Sequence, residues 1–249
     1  MKRALSILVT VGMLQPALPL QTVAAPINGS FESGSLGGWQ MDIATGQSRS
    51  QRGYRPAGTA KVVSSWGQLV DLPSPRTAMN GSRFTVLGTQ ANGNFTGHRT
   101  YDISLQQELS LTAGATLSGW AFFFNGDNQA QDSAWVKILD TEGATIATPW
   151  REQSGCASEN DFMATSYRTA SPWTPWSWEA PTNGAYTLSF GVTTANDNNY
   201  ASYGGFDGFL VSPPALPVPE PSAMALLLLS TAGLLRPRRT TTLHQNRHQ

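Results

Sequence analysis

Apolar positions between residues 60 and 211 come in short runs separated by polar, glycine-containing clusters. Ile103-Ser104-Leu105-Gln106 and Tyr186-Thr187-Leu188-Ser189-Phe190 alternate strictly, the period of a strand with one buried and one wet face. The pattern predicts strands over 60–63, 84–87, 103–109, 116–124, 134–139, 176–179, 185–192 and 205–211. Turn clusters at 80–82, 92–94, 112–114, 125–128, 141–143 and 182–184 each carry a glycine and separate these runs. The run 116–124 becomes apolar on both faces toward its end, which predicts a central strand. No long helical periodicity precedes the C-terminal tail. Many short strands with regular turns give an all-β expectation, an antiparallel β-sandwich.

The two ends break this pattern. Residues 1–25 open on Lys2 and Arg3, run apolar from 4 to 14 and close on Val23-Ala24-Ala25. A charged start, a short apolar stretch and a small-residue cleavage site read as a secretory signal peptide. Near the other end, Pro219-Glu220-Pro221 sits in a Pro-rich linker (213–222), followed by an uncharged apolar run at 223–235 and a basic tail at 236–249. Two prolines around one carboxylate stand extended and accessible. The run of 13 residues reads as a short transmembrane helix. It would span roughly 20 Å of a hydrocarbon core of about 30 Å. Arg236, Arg238 and Arg239 mark its cytoplasmic side.

This order of parts resembles the PEP-CTERM sorting signal of Gram-negative bacteria. The resemblance implies that an exosortase-like membrane protease or transpeptidase reads Pro219, Glu220 and Pro221. It further implies an inner-membrane intermediate on the way to the outer envelope or extracellular matrix. A plain tail anchor behind a Pro-rich linker is the alternative.

Removing both signals changes the charge. The part from 26 to 221 holds 10 basic and 16 acidic residues, a formal charge of −6. Such a domain lacks the clustered Lys and Arg that nucleic acid requires, so no nucleic-acid partner is expected. Cys156 is the lone cysteine, so no internal disulfide supports the fold.

Three blocks resemble the galactose-binding-like jelly-roll domains of carbohydrate-binding modules and many PEP-CTERM exoproteins. They are Asn28-Gly29-Ser30-Phe31-Glu32 with Gly38-Trp39, the segment 109–124, and 186–192 with the closing 205–211. Together they cover nearly all of the domain expected at 26–212. The resemblance implies a structural Ca²⁺ between Glu32 and Asp207, since calcium takes six to eight oxygens and two carboxylates offset its charge. Without metal, Glu32 caps a turn and Asp207 accepts backbone hydrogen bonds. The closing block carries Gly208 where a second polar residue is usual.

Sugar rings are held by flat apolar side chains with polar neighbours. Trp173, in a Pro-flanked turn, and Tyr200 and Tyr203, around an Asn/Gly loop, are the exposed candidates; Trp120, Trp176 and Trp178 are expected to fill the core. Catalytic signatures are missing from the sequence: it has no Gly-x-Ser-x-Gly elbow, His-Glu-x-x-His or phosphate loop. His98 with Cys156, and the acids Glu152, Glu159 and Asp161, are the only groupings that invite a hydrolase reading. The sequence therefore points to an exported, non-enzymatic envelope or matrix protein that contacts glycan or exopolysaccharide. A purely structural or adhesive surface protein and a glycan-active hydrolase are the alternatives.

Overall fold

The computed structural model describes residues 24–45, 58–68, 72–89, 101–126, 132–154, 163–165, 168–194 and 201–215. The chain divides into two units, 1–214 and 215–249. All but residue 215 of the second unit lies outside the described residues, and so do the expected signal peptide through residue 23, the Pro-Glu-Pro motif and the apolar run at 223–235. Among the described residues every regular element is a strand, and no helix is long and apolar enough to cross a membrane.

Among its described residues the first unit carries fourteen strands. One six-stranded sheet contains β1 (Gln40–Thr45), β6 (Tyr101–Leu111), β13 (Gly184–Thr194), β8 (Ser133–Leu139), β9 (Thr145–Ser154) and β10 (Met163–Thr165), in that order. All its pairs are antiparallel except β9–β10. The second sheet contains β11 (Thr169–Ala170), β7 (Thr116–Asn125), β14 (Tyr203–Ser212), β5 (Phe84–Gly88) and β2 (Thr59–Val63), and β12 (Thr174–Glu179) also pairs with β7. A small ribbon of β3 (Ser65–Trp66) and β4 (Arg76–Thr77) is separate from both sheets.

The inner faces of the two sheets share one core. Leu105, Val136, Leu188 and Phe190 of the first sheet pack with Leu117, Phe123 and Phe206 of the second. Phe190 is its aromatic centre, 4.6 Å from Phe206, 4.8 Å from Phe209 and 4.9 Å from Trp39 between ring centroids. Burial of such rings is the dominant favourable contribution to a sandwich of this kind. Every predicted strand is found, and the expected antiparallel β-sandwich is the observed architecture.

Two sequence expectations need correction. The sequence pattern gives no strand between 139 and 176, yet Trp150 lies inside the ten-residue β9. Pro149 obscures that strand. It occupies a break in the β8–β9 ladder, where pairing jumps from Val136↔Trp150 to Ile138↔Ala147, so its missing N–H disturbs no regular pair. Trp120 belongs to the outer face of the second sheet, because Leu117, Ala121 and Phe123 take the inner positions of β7.

Candidate functional site

The opening motif works as a turn that divides its side chains. Asn28 and Phe31 both adopt left-handed backbone, with φ of 55° and 57°. For a residue as bulky as Phe this is costly, and it is sustained by full burial of the ring in the core. Gly29 is required here, since a Cβ would lie 2.4 Å from the Phe209 carbonyl oxygen. The turn sends Glu32 outward. Its Oε1 accepts the Ser82 and Arg83 amides at 2.9 and 2.8 Å, and its Oε2 accepts the Ser82 hydroxyl at 2.8 Å. The Ser82 hydroxyl, then the backbone amides, hold the Glu32 carboxyl below its usual range.

Asp207 grips the same loop from the other side. Its Oδ2 accepts the Met79 and Asn80 amides at 2.7 and 2.8 Å. Burial pushes this carboxyl up to about 6, against the pull of the Asn80, Met79 and Gly208 amides and with a further push from Glu32. Its Oδ1 is buried and, among the described residues, has no hydrogen-bond partner. An orphaned buried carboxylate oxygen beside a second carboxylate fits a cation. Three of the four oxygens of the pair already accept protein donors, however, and no group of three or more His, Cys, Asp or Glu suited to a metal occurs among the described residues.

Trp173 and Tyr203 come together on the outer face of the second sheet. Phe84, Val86 and Phe122 form a buried floor there, with Trp66, Trp173 and Tyr203 partly exposed above it. The rings run in a continuous row: Trp173 lies edge-on to Phe122 at 4.7 Å and Phe84 at 5.4 Å, and Trp66 lies 5.6 Å from Phe122 and 5.1 Å from Tyr203. The Trp173 indole N–H donates to the Thr77 carbonyl at 2.9 Å, fixing the ring to β4. Burial raises the Tyr203 hydroxyl above its usual range. Tyr200 lies outside the described residues. Trp176 is buried in the core and Trp178 packs at its margin against Tyr186, as expected from their shared strand face.

The first sheet presents a different outer face, which the sequence reading missed. Trp135, on the polar side of β8, lies over Gly191, where a Cβ would be 2.7 Å from the indole. Its indole N–H donates to Thr193 Oγ1 at 3.4 Å, and the Thr193 hydroxyl in turn donates to Asp102. The Lys137 ammonium sits 4.1 Å from the centroid of the Trp135 ring. Desolvation lowers the Lys137 pKa, Asp102 raises it and the nearby Arg151 lowers it. A tryptophan two residues before a lysine on the polar face of an alternating strand was the available signal.

The carboxylates considered for hydrolysis are placed otherwise. Glu152 points between the sheets, 2% exposed, and accepts the Ser171 hydroxyl at 2.6 Å. Asp132, an acid outside that grouping, is fully buried and accepts the Ser202 hydroxyl. Each acid borders the first sheet and takes a hydroxyl from a segment leading into the second, so the pair ties the two sheets at one end. Glu159, Asp161, Cys156 and His98 lie outside the described residues.

No family model matches the chain, and no curated protein matches it. Solved structures do. The chain is similar to TmCBM61, solved in complex with beta-1,4-galactotriose, with a TM-score of 0.39 and 16% identity, covering 75% of this chain and 95% of that one. It is similar to the K1 cleaved adhesin domain of Lys-gingipain from Porphyromonas gingivalis W83, with a TM-score of 0.45 and 14% identity over 78% of this chain and 100% of that one. A third is the CBM22-1 xylan-binding domain of Paenibacillus barcinonensis Xyn10C, with a TM-score of 0.36 and 13% identity over 80% of this chain and 100% of that one. At these identities the likeness concerns the β-sandwich outline alone.

Proposed function

We propose that this chain is an exported, non-enzymatic envelope or matrix protein whose sandwich contacts glycan through the ring row on its second sheet. The observation that carries this reading is the row itself: Trp66, Trp173 and Tyr203 held partly exposed on one face over a phenylalanine floor. Rings fixed in advance lose little freedom when a sugar face settles on them. Tryptophan emission during titration with a panel of neutral and acidic polysaccharides tests it. Emission should change with at least one polymer, and the Trp173→Ala protein should lose that change. A flat response across the panel would leave the structural reading in place. That second reading has its own support in the Trp173–Thr77 bond, which makes the indole a clamp on the β3–β4 ribbon.

The sorting part rests on Pro219-Glu220-Pro221 and the apolar run that follows. An exosortase-like enzyme would process the chain there during passage through the inner membrane. The mass of the C-terminal peptide from the protein recovered from cells decides this: an end near residue 221 supports processing, and an end at Gln249 supports a plain anchor.

Glu32 and Asp207 are the residues that would hold a structural Ca²⁺, with Asp207 Oδ1 as the free ligand oxygen. A cation bound only by the folded state raises its melting temperature. Melting with calcium and with chelator should differ; identical curves would remove the metal from this reading.

A further inference from the structure

We infer that the outer face of the first sheet carries a second binding site, in which Lys137, seated over the Trp135 ring, takes a carboxylate of a glycan that is otherwise largely neutral. The site is distinct from the ring row, which lies on the other sheet.

Lys137 lies on the outer face of β8. Its ammonium has three donors and rests over the Trp135 ring at 4.1 Å, with no hydrogen-bond acceptor or ion-pair partner in bonding range among the described residues. A cation held half-buried over an indole face has lost part of its water without gaining a hydrogen bond. Arg151 stands opposite Trp135 in the β8–β9 register, so two cations share one patch. Desolvation chiefly lowers the Lys137 pKa; Asp102 raises it, by more than Arg151 lowers it. An incoming oxyanion would supply the half-buried ammonium with an acceptor in place of the water it has lost. The platform is fixed in position. Gly191 lets the indole lie on the sheet, and Thr193 anchors its N–H.

The surroundings select the kind of anion. Gln106, Thr187 and Gln153 occupy the same face beside the two cations, each partly exposed, and offer neutral donors and acceptors suited to sugar hydroxyls. Asp42, Asp102 and Glu108 lie on that face across β1 and β6, and the part from 26 to 221 carries a formal −6. A dense polyanion such as nucleic acid would meet these acids at nearly every position. An isolated uronate within a neutral chain brings a single charge to Lys137, while its neighbouring hydroxyls face Gln106, Thr187 and Gln153.

Calorimetric titration of the purified protein with a glucuronoxylan, and with the same polymer after reduction of its carboxyl groups to alcohols, tests the inference. The native polymer should bind at least about tenfold more tightly than the reduced one, and Lys137→Gln should abolish the difference. Free glucuronate should compete for the site weakly. Equal affinity for native and reduced polymer, an undiminished difference in the Lys137→Gln protein, or tighter binding of duplex DNA than of the polymer would each overturn it. A Trp173→Ala protein run in parallel separates the two faces, because a loss there affects native and reduced polymer alike. The Lys137→Gln protein must melt like the parent, and Lys137→Arg, which keeps the charge, should restore the preference.

Discussion

The two outer faces of this sandwich begin from the same alternation and end as different materials. On the second sheet the outward positions of β5 and β7 include Phe84, Val86, Phe122 and Phe124, all buried, with Trp66, Trp173 and Tyr203 packed over or beside them. On the first sheet the outward positions of β6 and β13 are mostly short and polar: Ser104, Gln106, Thr187, Ser189 and Thr193. One face has become a second, smaller core. The other stays wet and gathers a single indole, a lysine and an arginine. The difference shows that aromatic content alone does not identify a binding face. On the second sheet the rings pack on one another and leave Trp66, Trp173 and Tyr203 partly exposed, whereas on the first a single indole lies among polar neighbours under a lysine.

The largest effect should come from removing the floor of the aromatic face. Phe122 is fully buried, touches Trp66, Phe84 and Trp173, and has its ring over Gly205. Phe122→Ala should cost about 3–5 kcal/mol in urea denaturation, as large-to-small changes in a packed core do. A loss below about 1 kcal/mol would mean that this layer is a loose cover rather than a core.

Next comes Asp207, which lies beneath the loop that borders the aromatic face. Its carboxyl rises from 3.8 to about 6 on folding, chiefly through burial. In the window between those values the folded chain keeps a proton that the unfolded chain has lost. Without metal, its contribution to stability is therefore lost as pH rises from about 4 to about 6, by at most about 3 kcal/mol. Glu32, held below 4.5, contributes in the opposite sense at lower pH. The difference between the parent and Asp207→Asn, measured by denaturation at several pH values, isolates the Asp207 part. A cation on Oδ1 would favour the charged form and remove the decline, so repeating the series in calcium distinguishes an empty clamp from a metal site.

How much of this could be read from the chain depended on whether the pattern or its exceptions carried the information. β6 and β13 are legible because Ile103, Leu105, Leu188 and Phe190 alternate with polar residues. The opening motif is legible because its turn leaves few options for Asn28, Gly29 and Phe31. β9 was hidden by Pro149 and by Glu152, an acid on an inward face whose partner Ser171 is 19 positions away. The ring row was half legible: Trp173 and Tyr203 were chosen, but Trp66 was not, since its neighbours in space come from β7 and β14. The seat of Lys137 was not legible because a lysine on a polar face looks ordinary until its ammonium is found over the Trp135 ring.

A smaller effect is expected at Trp173 when only its hydrogen bond is removed. Trp173→Phe keeps a ring against Phe84 and Phe122 and loses the donor to Thr77. The Thr77 carbonyl keeps access to water, so the loss should be about 1 kcal/mol. A value near zero in denaturation would weaken the clamp reading and favour a ring held for a ligand.

The smallest effect on stability should come from the polar face, although the largest effect on acidic-glycan binding is expected there. Lys137→Gln gives up the contact with the Trp135 ring, worth roughly 0.5–1 kcal/mol at a partly exposed site. It also gives up the attraction to Asp102 and ends the smaller repulsion from Arg151 and the cost of keeping an ammonium half out of water. These contributions have opposite signs, so the net change should stay within about 0.5 kcal/mol. Phe122→Ala should show the reverse pattern, a large loss of stability with the native-over-reduced preference retained in whatever fraction is folded. A Lys137→Gln protein destabilised by 2 kcal/mol or more, again judged against the scale of ordinary surface substitutions, would show that the lysine holds the sheet together and is not kept for a ligand.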